Sequence, residues 1–261
     1  MNLPIYWVDA FTDRTFGGNP AAVIPLESWL DVGLLQRIAF ENGLSETAFF
    51  VRTGPARAQL RWFTPSVEVD LCGHATLATA HVLFNELGQV ENPMVFDTKS
   101  GPLSVLSNGP LIELDFPARP PVPAESPEAI ARGLGRKPVE VMRVERMWLC
   151  VYDSDADVKA LTPDSRVLGT IVPGRFIATA PGKDCDFVSR FFAPDAGVAE
   201  DPVTGSAHST LVPYWAKRLG KTKLHARQVS RRGGELWCML DGDRVRMAGH
   251  GKAYLKGQIT V

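Results

Sequence analysis

Residues 197–207 read Gly197-Val198-Ala199-Glu200-Asp201-Pro202-Val203-Thr204-Gly205-Ser206-Ala207 and run straight into a segment of helical spacing. Glu200 and Asp201 stand beside a tight turn that ends on Gly205. The amides of Gly205, Ser206 and Ala207 then open a helix, and the first amides of a helix lack intrahelical partners and carry partial positive charge. Such an end favours a carboxylate or an enolate oxygen. Alone, the stretch has two readings: an acidic loop with a serine near an N-cap, or a carboxylate next to an oxyanion cradle.

The choice turns on the fact that the chain contains this construction twice. Arg61-Trp62-Phe63-Thr64-Pro65 answers Arg190-Phe191-Phe192-Ala193-Pro194, and Gly73-His74-Ala75 answers Gly205-Ser206-Ala207. The two helical segments close on Leu87-Gly88 and Leu219-Gly220, and Gly101-Pro102-Leu103 answers Gly234-Glu235-Leu236. The offset drifts only from 129 (Arg61 to Arg190) through 132 (Gly73 to Gly205) to 133 (Gly101 to Gly234). A period this long is not a solenoid repeat; it signals two similar halves. Two helix N-termini facing each other across a cleft is the architecture this predicts, and the cleft is where function is expected.

Bulk properties exclude several classes. With 28 basic and 29 acidic residues the net charge is −1, which offers nothing to a polyanion or a membrane surface. The four cysteines (Cys72, Cys150, Cys185, Cys238) form no CxxC, and the start at Met1-Asn2-Leu3-Pro4 has no secretory character. A cytoplasmic protein with reduced thiols is expected. No GxGxxG, P-loop, GxSxG or basic–aromatic interleaving is present, so dinucleotide, phosphoryl, acyl-hydrolase and nucleic-acid readings lack support.

Along the chain, Ile5–Phe11 and Ala21–Ile24 read as strands joined through Gly17-Gly18-Asn19-Pro20. Ser28 is expected to cap a helix with Leu30, Leu34, Ile38 and Ala39 on one face, stopping at Gly43. A strand then runs through Ala48–Val51 with Gln59–Phe63 as its hairpin partner. Gly73–Leu87 is almost wholly apolar or small and so predicts a buried helix; its twin, Gly205–Leu219, contains Pro213. The proline-rich segment 117–127 reads as the linker. The expected domains are residues 1–118, completed by a returning strand over 252–261, and residues 119–251.

Glu46 stands at the mouth of an apolar strand whose counterpart, Phe176–Ala180, has no carboxylate before it. Shared scaffold explains such an asymmetric acid poorly, and the competing reading is a solvated strand end. His74 sits just inside the first helix start, where it is either a packed capping residue or a neutral imidazole able to face a carbonyl oxygen. His81 lies on the same face and reads as a satisfied core residue. His208, His225 and His250 show no ligand spacing, so no metal site is expected. Cys72 could be a thiolate base at a helix start. The matching position holds Thr204, however, which excludes a two-thiol racemase and leaves Cys72 as a buried small residue.

At this point the motifs resemble a known family. Asp9-Ala10-Phe11 with Gly18-Asn19-Pro20, then Ser45-Glu46-Thr47-Ala48-Phe49, Phe63-Thr64-Pro65, Cys72-Gly73-His74-Ala75-Thr76 and Glu200–Ala207 are similar, in order, to the PhzF family of phenazine biosynthesis-like proteins. The resemblance implies an α+β, diaminopimelate epimerase-like fold: two pseudo-symmetric halves, each an antiparallel-rich sheet rolled around a central helix. The family's catalytic residues fall on Glu46, His74, Asp201 and Ser206, with Asn19, Gly73 and Gly205 as substrate contacts. Cys72 departs from the family's namesake, where the residue before this glycine is small and not a thiol. The resemblance further implies a homodimer, a small-molecule substrate, no cofactor and no metal. The expected function is a cofactor-independent isomerase moving a proton between carbons of a small unsaturated or amino carboxylate. The alternatives are a single-carbon epimerase and a non-catalytic binding protein.

Overall fold

A computed structural model describes residues 1–261, which form two compact units: residues 1–116 with 246–261, and residues 117–245. No helix is long and apolar enough to cross a membrane.

The first unit contains β1 (Asn2–Ala10), β2 (Asn19–Leu26), α1 (Val32–Asn42), β3 (Glu46–Gly54), β4 (Arg57–Phe63), β5 (Glu68–Val69), α2 (Gly73–His81), β6 (Met94–Thr98), β7 (Gly101–Asn108) and β8 (Leu111–Pro117). The second contains β9 (Val122–Pro123), α3 (Glu128–Leu134), β10 (Glu140–Val144), β11 (Met147–Val151), α4 (Asp155–Lys159), α5 (Ser165–Leu168), β12 (Phe176–Pro181), β13 (Phe187–Ala193), β14 (Val198–Asp201), α6 (Gly205–Leu219), β15 (Lys223–Gln228) and β16 (Gly234–Asp241). The chain leaves this unit within β17 (Arg244–Gly249) and ends in β18 (Gly251–Thr260), which pairs antiparallel with β1 along its length. The stretch that rejoins the first unit begins at Arg246, ahead of position 252.

The duplication read from sequence is repeated strand by strand. In the first unit β2 runs parallel to β3, β3 antiparallel to β4, β4 parallel to β6, and β6 antiparallel to β7. In the second, β11 runs parallel to β12, β12 antiparallel to β13, β13 parallel to β15, and β15 antiparallel to β16. Parallel neighbours need a crossover, and α2 and α6 supply the corresponding ones. α2 is buried from Gly73 to Ala80, which accounts for its almost featureless apolar sequence. It ends at His81 and the chain continues through a π-turn, Val82–Glu86, so the expected single helix to Leu87 is interrupted. The core of the first unit centres on Ile24, Leu35, Phe49 and Phe63. That of the second is built from residues such as Trp148, Phe176, Val188 and Phe192.

One capping expectation is corrected. α1 begins at Val32, and Asp31, not Ser28, is its N-cap, accepting from Leu34 N at 3.2 Å. A carboxylate one position before the helix both accepts this amide and complements the helix dipole, which a serine three residues earlier cannot do. Gly43 ends the helix in the left-handed region as expected.

Candidate active site

In the first unit three chain segments converge on one imidazole. Asn19 is the first residue of β2, Glu46 the first of β3, and His74 the second of α2. The parallel register sets Ala21 opposite Glu46, so the two strands begin side by side. The turn before Asn19 is held closely: a Cβ on Gly18, whose φ is +60°, would lie 2.1 Å from the Ala10 carbonyl oxygen. Only glycine fits there.

Asn19 is fully buried and its Nδ2 lies 3.2 Å from His74 Nδ1. An amide nitrogen can only donate, so Nδ1 is the acceptor and the proton of the neutral ring sits on Nε2. That nitrogen lies 3.2 Å from Glu46 Oε2, a close contact without the alignment of a hydrogen bond. His74 is 5% exposed, and burial lowers its pKa to about 3, so the ring is neutral at ordinary pH. Glu46, its side chain 18% exposed, is neither the solvated strand end nor a core residue.

Cys72 is buried, with Sγ 3.5 Å from His74 Nδ1. The donor atoms of Glu46, Cys72 and His74 lie within 4.8 Å of one another, the span of a metal cluster. The expectation of no clustered ligands rests on spacing along the chain, whereas these three residues are brought together from β3 and the start of α2. His81, by contrast, is a satisfied residue, its Nδ1 3.0 Å from Asn85 Nδ2.

In the second unit, Asp201, Gly205 and Ser206 share the turn between β14 and α6. Glu200 and Asp201 have different fates. Glu200 takes both oxygens to Arg190, at 2.7 and 2.9 Å, as Glu68 does with Arg61 at the same two distances in the first unit. Asp201 instead accepts from Thr204 Oγ1 at 2.5 Å through Oδ2. Ser206 is half-buried at the helix start. No side chain caps α2 or α6, so the first amides of both helices are left to other partners.

Two contacts are not legible in the sequence. Cys72 is the buried small residue that comparison of the halves expects, and it also touches His74. Gln228, at the end of β15, binds the Asp201–Thr204 turn through three hydrogen bonds. A glutamine in an alternating strand carries no signal of such a role.

A profile of the phenazine biosynthesis-like protein family (PhzC-PhzF) matches residues 8–257. The chain is 50% identical over 261 residues to an uncharacterized isomerase of Pseudomonas aeruginosa, covering the whole of both. It is similar to the crystal structure of a PhzF-family phenazine biosynthesis protein from Enterococcus faecalis, with a TM-score of 0.97, 45% identity and full coverage of each chain. More distantly, a probable proline racemase from Agrobacterium radiobacter shares the fold, with a TM-score of 0.65 at 13% identity over 99% of this chain and 93% of the other. The fold is thus the α+β, diaminopimelate epimerase-like one, and the chain belongs to the PhzF family of phenazine biosynthesis-like proteins.

Proposed function

We propose that this protein is a cofactor-independent isomerase in which Glu46 takes a proton from one carbon of a small unsaturated or amino carboxylate and returns it to another. The observation that carries the reading is the pairing of a partly buried carboxylate with a histidine kept neutral by burial and presented with its proton on Nε2. A base must exchange protons with carbon near neutral pH, and a low-dielectric pocket favours that. Neutral imidazole can donate to a developing oxyanion without the desolvation cost that a buried imidazolium would carry.

In this reading His74 and Asp201 hold the substrate's polar group, with Asn19 fixing the His74 tautomer. The amides of Gly73, Gly205 and Ser206, together with the Ser206 hydroxyl, hold its carboxylate or oxyanion. A well-placed backbone amide of this kind is worth roughly 3 kcal/mol in the transition state. Membership of a family whose relatives include proteins named isomerases supports the reaction class.

The test is deuterium uptake from D2O, followed by proton NMR, over a panel of unsaturated and amino carboxylates. Glu46→Gln is expected to abolish exchange, lowering it by about a thousandfold or more, while changing stability by less than about 1 kcal/mol. Retention of exchange in that variant would remove Glu46 as the base.

A further inference from the structure

The two halves open their central helices with matching turns, and subtracting one turn from the other isolates what each adds. Several parts are common. Trp62 pairs with Val69 as Phe191 pairs with Asp201. Ser100 Oγ donates to the Asp70 carbonyl at 2.8 Å, and Ser230 Oγ donates to the Pro202 carbonyl at the same distance. The bidentate Arg–Glu pairs are also common to both. These contacts hold the scaffold.

What the second turn adds is one carboxylate and one glutamine. Asp201 stands where the first half has Val69. Gln228 pairs with Gly234 as Thr98 pairs with Gly101 at the corresponding place in the first half, but the Thr98 hydroxyl donates to the Gly101 carbonyl at 2.7 Å. Gln228 is 1% exposed. Its Oε1 accepts from Thr204 N at 2.9 Å, and its Nε2 donates to the Asp201 carbonyl at 2.7 Å and to Thr204 Oγ1 at 3.1 Å. Two of these partners are backbone groups of fixed character, so the amide cannot be reversed. Thr204 Oγ1 accepts a hydrogen bond from Gln228 Nε2 and donates its own to Asp201 Oδ2 at 2.5 Å.

We infer that Gln228 is a positioning residue: through Thr204 it directs a hydroxyl proton onto Asp201 Oδ2 and so fixes the orientation and the charged form of the Asp201 carboxylate. The inference rests on the reading of Asp201 as a substrate contact, and it extends the site to a residue that touches no substrate. Glu200, next to Asp201, is committed to Arg190 and takes no part.

The experiment is carbon-13 NMR titration of aspartate-labelled full-length protein, with the Asp201 carboxyl signal assigned by Asp201→Asn. Thr204→Val removes the hydroxyl at nearly constant volume, and Thr204→Ser restores it. Gln228→Met removes the amide. Loss of one charge-assisted hydrogen bond should raise the Asp201 midpoint by about one pH unit in Thr204→Val and Gln228→Met, and Thr204→Ser should return it to the wild-type value. An unmoved midpoint in Thr204→Val, or in Gln228→Met where that variant folds, overturns the inference. Deuterium exchange on the same proteins separates this result from the function itself. A shifted midpoint with wild-type exchange in Asp201→Asn would uphold the hydrogen-bond chain and remove Asp201 from the site.

Discussion

The turn that opens α2 and the turn that opens α6 share a frame and differ in chemistry. Both are braced by a bidentate arginine–glutamate pair, with the guanidinium over an aromatic ring: Arg61 over Phe63 at 5.2 Å and Arg190 over Phe192 at 5.0 Å. Both bond a side chain four residues into the helix back to the cap carbonyl, Thr76 to Cys72 and His208 to Thr204. Yet the first presents an imidazole and a thiol, with Glu46 brought to them by another strand. The second presents a carboxylate and a small hydroxyl. Duplication thus supplies two equivalent helix ends, and the positions free of the bracing are the ones that diverge.

That division can be broken experimentally. The largest effect should follow exchange of the divergent residues. His74→Gln removes the neutral donor and is expected to slow deuterium exchange by about a hundredfold or more, against about tenfold for Ser206→Ala. Equal losses would mean that the halves contribute alike. The shared frame should govern stability in both halves instead. Arg61→Met and Arg190→Met each strip a partly buried glutamate of its guanidinium. Glu68 keeps Lys99 at 2.7 Å, whereas Arg190 also donates to the Val158 and Leu161 carbonyls. The expected costs in urea unfolding are therefore about 2 kcal/mol for Arg61→Met and about 3 kcal/mol for Arg190→Met. A negligible cost for either variant would show that the pair does not brace its turn.

A further difference between the two turns lies in acid stability. His208 is fully buried with Nδ1 bonded to the Thr204 carbonyl, and burial lowers its pKa to about 4. The unfolded chain protonates its histidines near 6.5. Below that pH it binds a proton that folded His208 refuses, so the stability contribution is complete above about 6.5 and is lost as pH falls towards about 4. The loss is about 1.4 kcal/mol per pH unit in that window, or about 2 kcal/mol by pH 5. His74 adds a similar loss that continues to about 3. Replacing His208 with threonine, the residue at the equivalent position in the first half, should flatten the pH dependence of the melting temperature between about 6.5 and about 4. An unchanged slope would place the acid sensitivity elsewhere.

Much of the fold can be read from the chain because it rests on local patterns repeated at a nearly constant offset. The strand alternations, the apolar run of α2 and the glycine stop of α1 are all of this kind. The carboxylate of Glu46 is conspicuous because its counterpart strand has none. The N-cap of α1 is not settled by sequence, because serine and aspartate both satisfy the capping rule and only the path of the backbone selects between them.

Tertiary structure alone decided the rest. Nothing in the spacing of Asn19 and His74, 55 residues apart, announces that one fixes the tautomer of the other. Glu200 and Asp201 are adjacent acids of similar character, and alternation of side chains along β14 sends one to Arg190 and leaves the other to Thr204. Gln228 gains its role because parallel pairing of β13 with β15 brings the end of one strand to the turn opened by another. The residues alone show two similar halves, two matching helix starts and an acid before one strand that its counterpart lacks. Hydrogen-bond partners drawn from distant segments, set by strand pairing, determined what each polar group at those ends can do.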